Sequence, residues 1–309
     1  MREARKGVLA VVLACLIWGF GPAYYKHLSQ VAAPEMLAHR TLWTLLMFGG
    51  LLAVQGRLAE LRGLLLGPQR GRVWAATLLI SANWFIFIWA VQSAHAIEAS
   101  LGYYIFPLVA VLIGFVAFGE RLAVPQVLAV GLATLAVCLL TYGLGVAPLI
   151  ALSLAGTFAS YSALKRGVSA SAIVSVTAEV VLMAPLAIGY LVYAHLGFAG
   201  PGAGWFGRDL GLSLWLPLTG LITGVPLMLF SYAARRVSMA TLGLVQFLNP
   251  TLQFLTAVLI FAEPFSYWHA VAFGLIWLAL ALYSAAAWRQ DRAARKAAVS
   301  AGTSGIAVK

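Results

Sequence analysis

The stretch that decides the fold is EASLGYYIFPLVAVLIGFVAFGER, residues 98–121. Its interior is uncharged, a glutamate closes each end, and a single proline, Pro107, interrupts the apolar run. A helix that crosses a bilayer needs about 20 predominantly apolar residues, which this run supplies. The stretch therefore predicts a transmembrane helix with a proline inside it.

A second copy of this pattern, ATLGLVQFLNPTLQFLTAVLIFAEP, occupies residues 240–264. Pro107 precedes Glu120 by 13 residues and Pro250 precedes Glu263 by 13 residues, so both members of the pair are offset by 143. We interpret this spacing as an internal duplication of the chain.

Composition excludes an ordinary soluble domain. The 309-residue chain is 62% hydrophobic and 9% charged, whereas soluble domains have about 45–50% apolar and about 25% charged residues. The net charge of +11 would suggest nucleic acid in a soluble protein, but here the basic residues lie in short loops between apolar runs. We therefore predict a lipid bilayer as the surroundings and no nucleic-acid partner. The two cysteines lie in separate apolar runs and indicate neither a disulfide framework nor a metal site.

Ten apolar segments are predicted as membrane spans, numbered 1 to 10 in chain order. The N-terminus resembles a signal peptide but lacks a small-residue cleavage site, so we interpret it as a retained first span. Residues 1–142 form a first five-helix unit, residues 148–288 form a second, and the polar tail 289–309 is predicted to be disordered. The predicted spans are 7–25, 35–54, 73–92, 97–118, 125–142, 148–164, 172–194, 212–234, 240–261 and 267–288.

The basic residues orient the chain. Of the 20 Lys and Arg residues, all except Lys26, Arg208 and the intramembrane Arg40 fall on one side, which the positive-inside rule assigns to the cytoplasm together with both termini. Because each unit crosses the membrane five times, an odd number, the second unit must insert with the opposite orientation. The predicted fold is an all-α integral membrane protein with ten transmembrane helices arranged as two inverted repeats of five, with a substrate site near the midplane between them.

Five motifs carry a family resemblance. The motifs are IWGFGPAYYK (17–26), PEMLAHR (34–40), NWFIFIWAV (83–91), EASLGYYIFPLV (98–109) and ATLGLVQFLNPTL (240–252). They resemble the RarD branch of the EamA family in the drug/metabolite transporter superfamily, named in connection with chloramphenicol sensitivity. The resemblance implies a bacterial inner-membrane permease whose central cavity is lined by spans 1, 3, 4, 6, 8 and 9. One departure is Phe106, which stands where the branch usually has Asn.

Polar and aromatic residues inside the spans are the predicted cavity wall. Amides inside a membrane either satisfy each other across helices or face a polar cavity, and each aromatic could instead pack or lie in an interfacial belt. Gly and Pro allow bending, with simple kinks as the alternative. The predicted cavity residues are Trp18, Tyr24, Asn83, Trp84, Tyr103, Tyr104, Tyr161, Gln246 and Asn249, and the predicted hinges are Gly21, Pro22, Gly102, Pro107, Pro226 and Pro250.

Ionisable residues within the spans predict a gate or a proton-sensitive pair. Arg40 lies inside span 2, where an isolated charge at the membrane centre costs at least about 2.5 kcal/mol. His39 is adjacent, Glu35 lies one helical turn before it, and Glu98 is the predicted partner of Arg40. The alternative is a structural ion pair. Glu179, offset from Glu35 by 144, is either a proton-coupling group or a carboxylate buried against Lys165.

The function predicted from these features is secondary transport. The cargo would be a small organic metabolite, exported by alternating access: an amino-acid-like or amphipathic aromatic compound, or a drug such as chloramphenicol. The sequence has no phosphate-binding G-x-x-x-x-G-K-[ST] loop and no clustered catalytic or metal-ligating residues, so we predict neither an enzyme nor a cofactor. The alternative class is a non-transporting membrane scaffold or receptor, and both monomer and homodimer are open.

Overall fold

Each predicted span becomes helical in a computed structural model, because a chain in lipid must satisfy its backbone hydrogen bonds within the crossing segment. The structure describes residues 2–119, 123–200, 202–237 and 239–304, and these ranges contain no strand. In chain order the helices are α1 (Arg2–Gly19), α2 (Gly21–His27), α3 (Ala33–Val54), α4 (Leu58–Leu66), α5 (Arg70–Gln92), α6 (Ala96–Phe118), α7 (Val124–Leu144), α8 (Leu149–Lys165), α9 (Ala172–His195), α10 (Leu210–Trp215), α11 (Leu218–Ala234), α12 (Met239–Gln246), α13 (Leu248–Leu255), a π-helical segment (Thr256–Ile260) and α14 (Tyr267–Ser304).

The predicted all-α membrane fold is confirmed. Within the described ranges, 9 helical stretches are long and apolar enough to cross a membrane, and α8 is a shorter apolar helix of 17 residues at the place of span 6. The predicted loop 55–72 contains the additional short helix α4.

The polar tail differs from its prediction. Instead of becoming disordered after residue 288, the chain continues as helix α14 to Ser304. The reason lies in the composition of this segment, which is rich in Ala and Arg, two strong helix formers. Residues 305–309 lie outside the described ranges.

Loop contacts define two ends of the bundle. At the end where α1 begins, which we call the N-terminal face, Arg236 Nε donates to Glu3 at 3.0 Å and Arg57 Nη2 donates to Ser171 Oγ at 3.0 Å. At the opposite face, Trp205 Nε1 donates to the Gln30 carbonyl at 3.2 Å. A chain that reverses direction at each successive span brings these residues together.

Spans 1 and 9 are each interrupted at one residue next to a proline, with the backbone there still in the right-handed helical region. Span 1 breaks at Phe20 between α1 and α2, with Pro22 in the first turn of α2. Span 9 breaks at Phe247 between α12 and α13, with Pro250 in the first turn of α13. Proline is tolerated there because the first amides of a helix have no intrahelical acceptor.

The glutamate that closes the second sequence copy caps a helix. Glu263 is buried and accepts hydrogen bonds from the Ala96 and Ile97 amides, both at 2.9 Å, so it satisfies the free N–H groups at the start of α6. Its counterpart in the first copy, Glu120, lies outside the described residues.

Helix packing relates the two halves of the chain. The extensive contacts include α7 with α14, α3 with α9, α6 with α8, α5 with α8, α3 with α11, and α1 with both α11 and α13. Each span can be compared with its counterpart five places away. The pairs α7 with α14 (spans 5 and 10) and α3 with α9 (spans 2 and 7) are each a span with its own counterpart. The counterparts of α6 and α8 (spans 4 and 6) are α13 and α1 (spans 9 and 1), which also pack together. Two related units would produce this pattern, and the inverted repeat stays a prediction at this point.

Candidate functional site

A central cavity of about 260 Å³ lies between the two halves. Every span that the resemblance assigned to the wall contributes to it, and spans 2 and 7 contribute as well, through Arg40 and Val176. Both broken helices reach the wall close to their breaks. The lining residues are Trp18, Gly21, Tyr25, Arg40, Ile80, Asn83, Trp84, Phe87, Tyr103, Phe158, Tyr161, Val176, Ile222, Thr223, Leu227, Phe230, Gln246, Asn249 and Gln253.

Of the predicted cavity residues, the structure places all except Tyr24 and Tyr104 in this wall. The Tyr24 hydroxyl donates to the Trp215 carbonyl at 2.9 Å, and Tyr104 is buried against Phe273, with its hydroxyl 2.6 Å from Thr251 Oγ1. Successive residues of a helix point about 100° apart. For that reason Tyr25 and Tyr103 face the cavity while their neighbours Tyr24 and Tyr104 face other helices.

Asn83 lies in the wall with its hydrogen bonds already used. Its amide nitrogen donates to the Leu154 carbonyl and to Thr157 Oγ1, both at 3.0 Å, and its oxygen accepts from the Tyr103 hydroxyl at 3.0 Å. This network ties α5 and α6 to α8. The amide therefore shapes the wall of the cavity and keeps few hydrogen-bonding positions for a ligand.

The side-chain amides of Asn249 and Gln253 on α13 leave hydrogen-bonding positions free. Gln253 Nε2 donates to Asn249 Oδ1 at 3.0 Å, whereas the buried Gln253 Oε1 has no partner within the described part of the chain. Sequence reasoning missed Gln253. Its spacing of four residues from Asn249 was the available signal, because residues four apart share a helix face.

Arg40 is 8% exposed and lies in the cavity wall. Its Nη1 donates to the Tyr25 hydroxyl at 3.0 Å, its guanidinium carbon lies 4.1 Å from the centre of the Trp84 ring, and its Nε has no partner among the described residues. The described ion pairs do not include the predicted pair with Glu98, which instead occupies the first turn of α6. A carboxylate in that position suits the positive end of the α6 dipole.

Glu35 is a fully buried anchor at the opposite face. Its two oxygens accept from the backbone amides of Gly204 and Trp205, at 2.9 and 2.8 Å, so that the start of α3 is fixed to the loop between α9 and α10. His39 Nε2 lies 4.0 Å from the same carboxylate, and its ring packs on Phe206. The predicted group of Glu35 and His39 is thus joined to a loop and not to Arg40.

Glu179 belongs to a second buried cluster, nearer the N-terminal face. Lys165 Nζ lies 2.6 Å from Glu179 Oε1 and also contacts Ser175 Oγ, while the Tyr161 hydroxyl donates to the carboxylate at 3.2 Å. Because Tyr161 also lines the cavity, a single hydrogen bond connects Glu179 to the cavity wall.

The predicted hinge residues occupy different environments. Gly21 lies in the cavity wall beside Pro22 at the break in span 1, and Pro250 lies beside the break in span 9. Pro107 and Pro226 lie within the continuous helices α6 and α11.

Gly102, one of the predicted hinges, packs closely against α8. A Cβ atom at this position would lie 2.8 Å from the Ala151 carbonyl oxygen and 2.9 Å from Leu154 Cβ. Small residues of this kind let two membrane helices approach closely, here α6 and α8. A larger side chain at Gly102 would therefore separate these helices and would not fill the cavity.

The cavity offers neutral hydrogen-bonding groups, aromatic surfaces and the positive charge of Arg40. Within the described ranges no three His, Cys, Asp or Glu side chains are grouped so that they could hold a metal ion. A bundle of apolar helices, with broken spans around a mostly apolar cavity that carries a few polar groups, is the architecture of multi-pass membrane transporters.

The chain belongs to the EamA-like transporter family, whose profile matches residues 5–142. An uncharacterised transporter of Pseudomonas aeruginosa is 40% identical to it, over 93% of this chain and 96% of the relative. Protein RarD of Salmonella typhimurium is 38% identical, over 91% of this chain and 95% of its own. The predicted resemblance to RarD-type permeases is confirmed. A solved crystal structure of a protein matches 93% of this chain and 99% of its own with a TM-score of 0.57 at 22% identity, a likeness of fold alone.

Proposed function

We propose that this membrane transporter is a secondary permease that exports a small organic metabolite, amino-acid-like or amphipathic and aromatic, by alternating access. The observation that carries the proposal is the cavity of about 260 Å³ between the two halves, bordered by the breaks in spans 1 and 9. Broken helices at the midplane are a recurring feature of transporter binding sites. The volume suits a small metabolite, since pockets for drug-sized ligands measure about 300–1,000 Å³.

The proposed movement is a rocking of two inverted five-helix units, residues 1–142 and 148–288. The offset of 143 between the sequence copies and the exchangeable pattern of helix contacts both support this division. Inverted units can exchange their conformations, and this exchange opens the shared cavity first to one face and then to the other.

The proposed location is the bacterial inner membrane with both termini in the cytoplasm. The N-terminal face carries most of the basic residues, including Arg57, Arg70, Arg72 and Lys165. Loops rich in Lys and Arg remain on the cytoplasmic side. The bacterial relatives support the same membrane.

We also propose that transport is coupled to protons through Glu179. Its carboxylate is buried beside Lys165 and reaches the cavity through the Tyr161 hydroxyl. An intramembrane carboxylate of this kind is a typical proton-relay group. A structural pair of Glu179 with Lys165, without any coupling, is the alternative.

The test is uptake by the purified protein in liposomes, with labelled amino acids and chloramphenicol and with or without a pH gradient. Gly21→Leu is the blocking variant, because Gly21 lines the cavity and a Cβ there meets no atom within 4 Å. Gly243→Leu on α12 is the matched control, since Gly243 also has open space but lies outside the cavity wall.

We expect saturable flux in the wild type and in Gly243→Leu, and loss of flux in a folded Gly21→Leu. The alternative function, a non-transporting scaffold, predicts no flux of any panel member and no difference between the two variants. Equal flux through both variants would show that the cargo does not pass through this cavity.

A further inference from the structure

Two buried polar groups in the cavity wall lack partners within the described part of the chain. One is the Nε donor of Arg40 and the other is the Oε1 acceptor of Gln253. Both side chains line the cavity, and their exposures are 8% for Arg40 and 4% for Gln253. Buried polar groups in proteins nearly always have partners, so these two point to a ligand that the cavity is built to receive.

The charge of Arg40 is not balanced by the groups around it. Its contacts are a neutral hydroxyl, that of Tyr25, and the face of the Trp84 ring. Neither carries a negative charge, and no acidic side chain of the described residues lines the cavity. A buried guanidinium costs free energy unless an anion pairs with it.

We propose that the cargo carries a carboxylate that binds the guanidinium of Arg40, a proposal that rests on the transport function above. A carboxylate matches the planar fork of a guanidinium and supplies one negative charge for one positive charge. A phosphate carries a charge of about −1.5 to −2 at neutral pH and would leave excess negative charge in the membrane.

Gln253 and the aromatic walls define the rest of the cargo. The free Gln253 Oε1 accepts a hydrogen bond, so the cargo places an N–H or O–H group there. Trp18, Phe158 and Phe230 supply apolar and aromatic surface for its remainder. The substrate class is therefore a small organic carboxylate with one hydrogen-bond donor and an apolar portion.

The test uses probe pairs that differ only in the group proposed to bind. Binding to the purified full-length protein is measured by quenching of tryptophan fluorescence, since Trp18 and Trp84 line the cavity. The pairs are L-phenylalanine with L-phenylalaninol, and 3-phenylpropanoate with 3-phenylpropanamide. A charge-assisted hydrogen bond predicts roughly tenfold to a hundredfold tighter binding of the carboxylate member of each pair.

Variants assign this preference to Arg40. Arg40→Gln is expected to bind both members of each pair equally, and Arg40→Lys, which keeps the charge without the fork, to retain part of the preference. The control is Lys26→Gln, which removes a cation that lies over Phe261 outside the cavity and is expected to keep the wild-type preference.

A third comparison tests Gln253. The wild type is expected to bind L-phenylalanine more tightly than 3-phenylpropanoate, which has the same ring and carboxylate without the amine. Gln253→Met removes the amide acceptor and is expected to abolish this difference while it keeps the preference for carboxylates.

Three results would overturn the proposal. They are equal binding of both members of each pair by the wild type, no binding of any carboxylate probe, and an undiminished preference in Arg40→Gln. The wild-type comparison needs no variant and so holds even if a variant fails to fold. Failure of the transport function would look different, because carboxylates would bind through Arg40 without any flux. If the protein transports neutral compounds and shows no preference for carboxylates, the transport function stands and the carboxylate inference is rejected.

Discussion

Glu35 in span 2 and Glu179 in span 7 are both buried carboxylates, 144 residues apart, and are held in opposite ways. Glu35 is bound by two backbone amides, of Gly204 and Trp205, which cannot lose their protons or turn away. Glu179 is bound by side chains, Lys165 and Tyr161, of which the second faces the cavity. The difference is that Glu35 fixes a loop through backbone amides, whereas Glu179 contacts a side chain that lines the cavity.

The largest expected effect is on stability, in Glu35→Ala. Removal of this carboxylate leaves the amides of Gly204 and Trp205 without acceptors, which costs about 1–3 kcal/mol for each buried amide. We expect a loss of about 3 kcal/mol in the free energy of unfolding, measured by thermal unfolding in detergent. The control is Glu60→Ala, because Glu60 forms an exposed pair with Arg57 that contributes little. Equal melting temperatures for the two variants would contradict the role of Glu35 as an anchor.

The next effect is on coupling, in Glu179→Gln. The amide keeps the shape and can still bond to Tyr161, so we expect folded protein whose flux no longer responds to a pH gradient. Flux is measured in liposomes with and without the gradient. The matched control is Glu35→Gln, whose folded fraction should keep its response. A response that survives in Glu179→Gln, or disappears in both variants, would remove the distinction between the two carboxylates.

A smaller effect is expected for Tyr161→Phe, which removes the hydrogen bond between the cavity wall and Glu179. We expect the gradient response to weaken and the affinity for the cargo to change little. Tyr103→Phe is the control, because the Tyr103 hydroxyl also lies at the cavity but bonds to Asn83. An equal loss of gradient response in both variants would show that the response does not pass through Tyr161.

The smallest effect is expected for Ser175→Ala. Ser175 contacts Lys165, and Glu179 keeps its own contacts with Lys165 and Tyr161 without it. We expect a change of no more than about 1 kcal/mol in the free energy of unfolding and an unchanged gradient response. A loss of the response comparable with that of Glu179→Gln would mean that Lys165, positioned by Ser175, carries the coupling.

The spans were predictable from sequence because lipid imposes a strong and local rule on each crossing segment. The cavity wall was predictable for several polar or aromatic residues near a break, as with Trp18 and Asn249. It was not predictable for Tyr24 and Tyr104, since the choice between neighbours depends on the rotation of a helix about its own axis. That rotation is set by packing against other helices.

Partners of buried charges were the least predictable feature. Glu98 was a reasonable partner for Arg40, because both residues were expected near the same end of their spans. In the structure Glu98 lies in the first turn of α6, where a negative charge interacts favourably with the positive end of the helix dipole. Glu35 pairs with backbone amides 169 and 170 residues away. No side-chain pattern in the sequence signals such a donor, because every residue except proline carries a backbone N–H group.

The most direct test of alternating access is labelling of one cavity residue from each face of the membrane. Thr223 lines the cavity, and a Thr223→Cys variant in which Cys15 and Cys138 are replaced by serine carries a single thiol there. In oriented membrane vesicles a membrane-impermeant thiol reagent is applied to either side. Alternating access predicts that the thiol reacts from both faces and that a transported compound shifts the balance between the two rates. Reaction from one face only, with every compound that the protein binds, would contradict it.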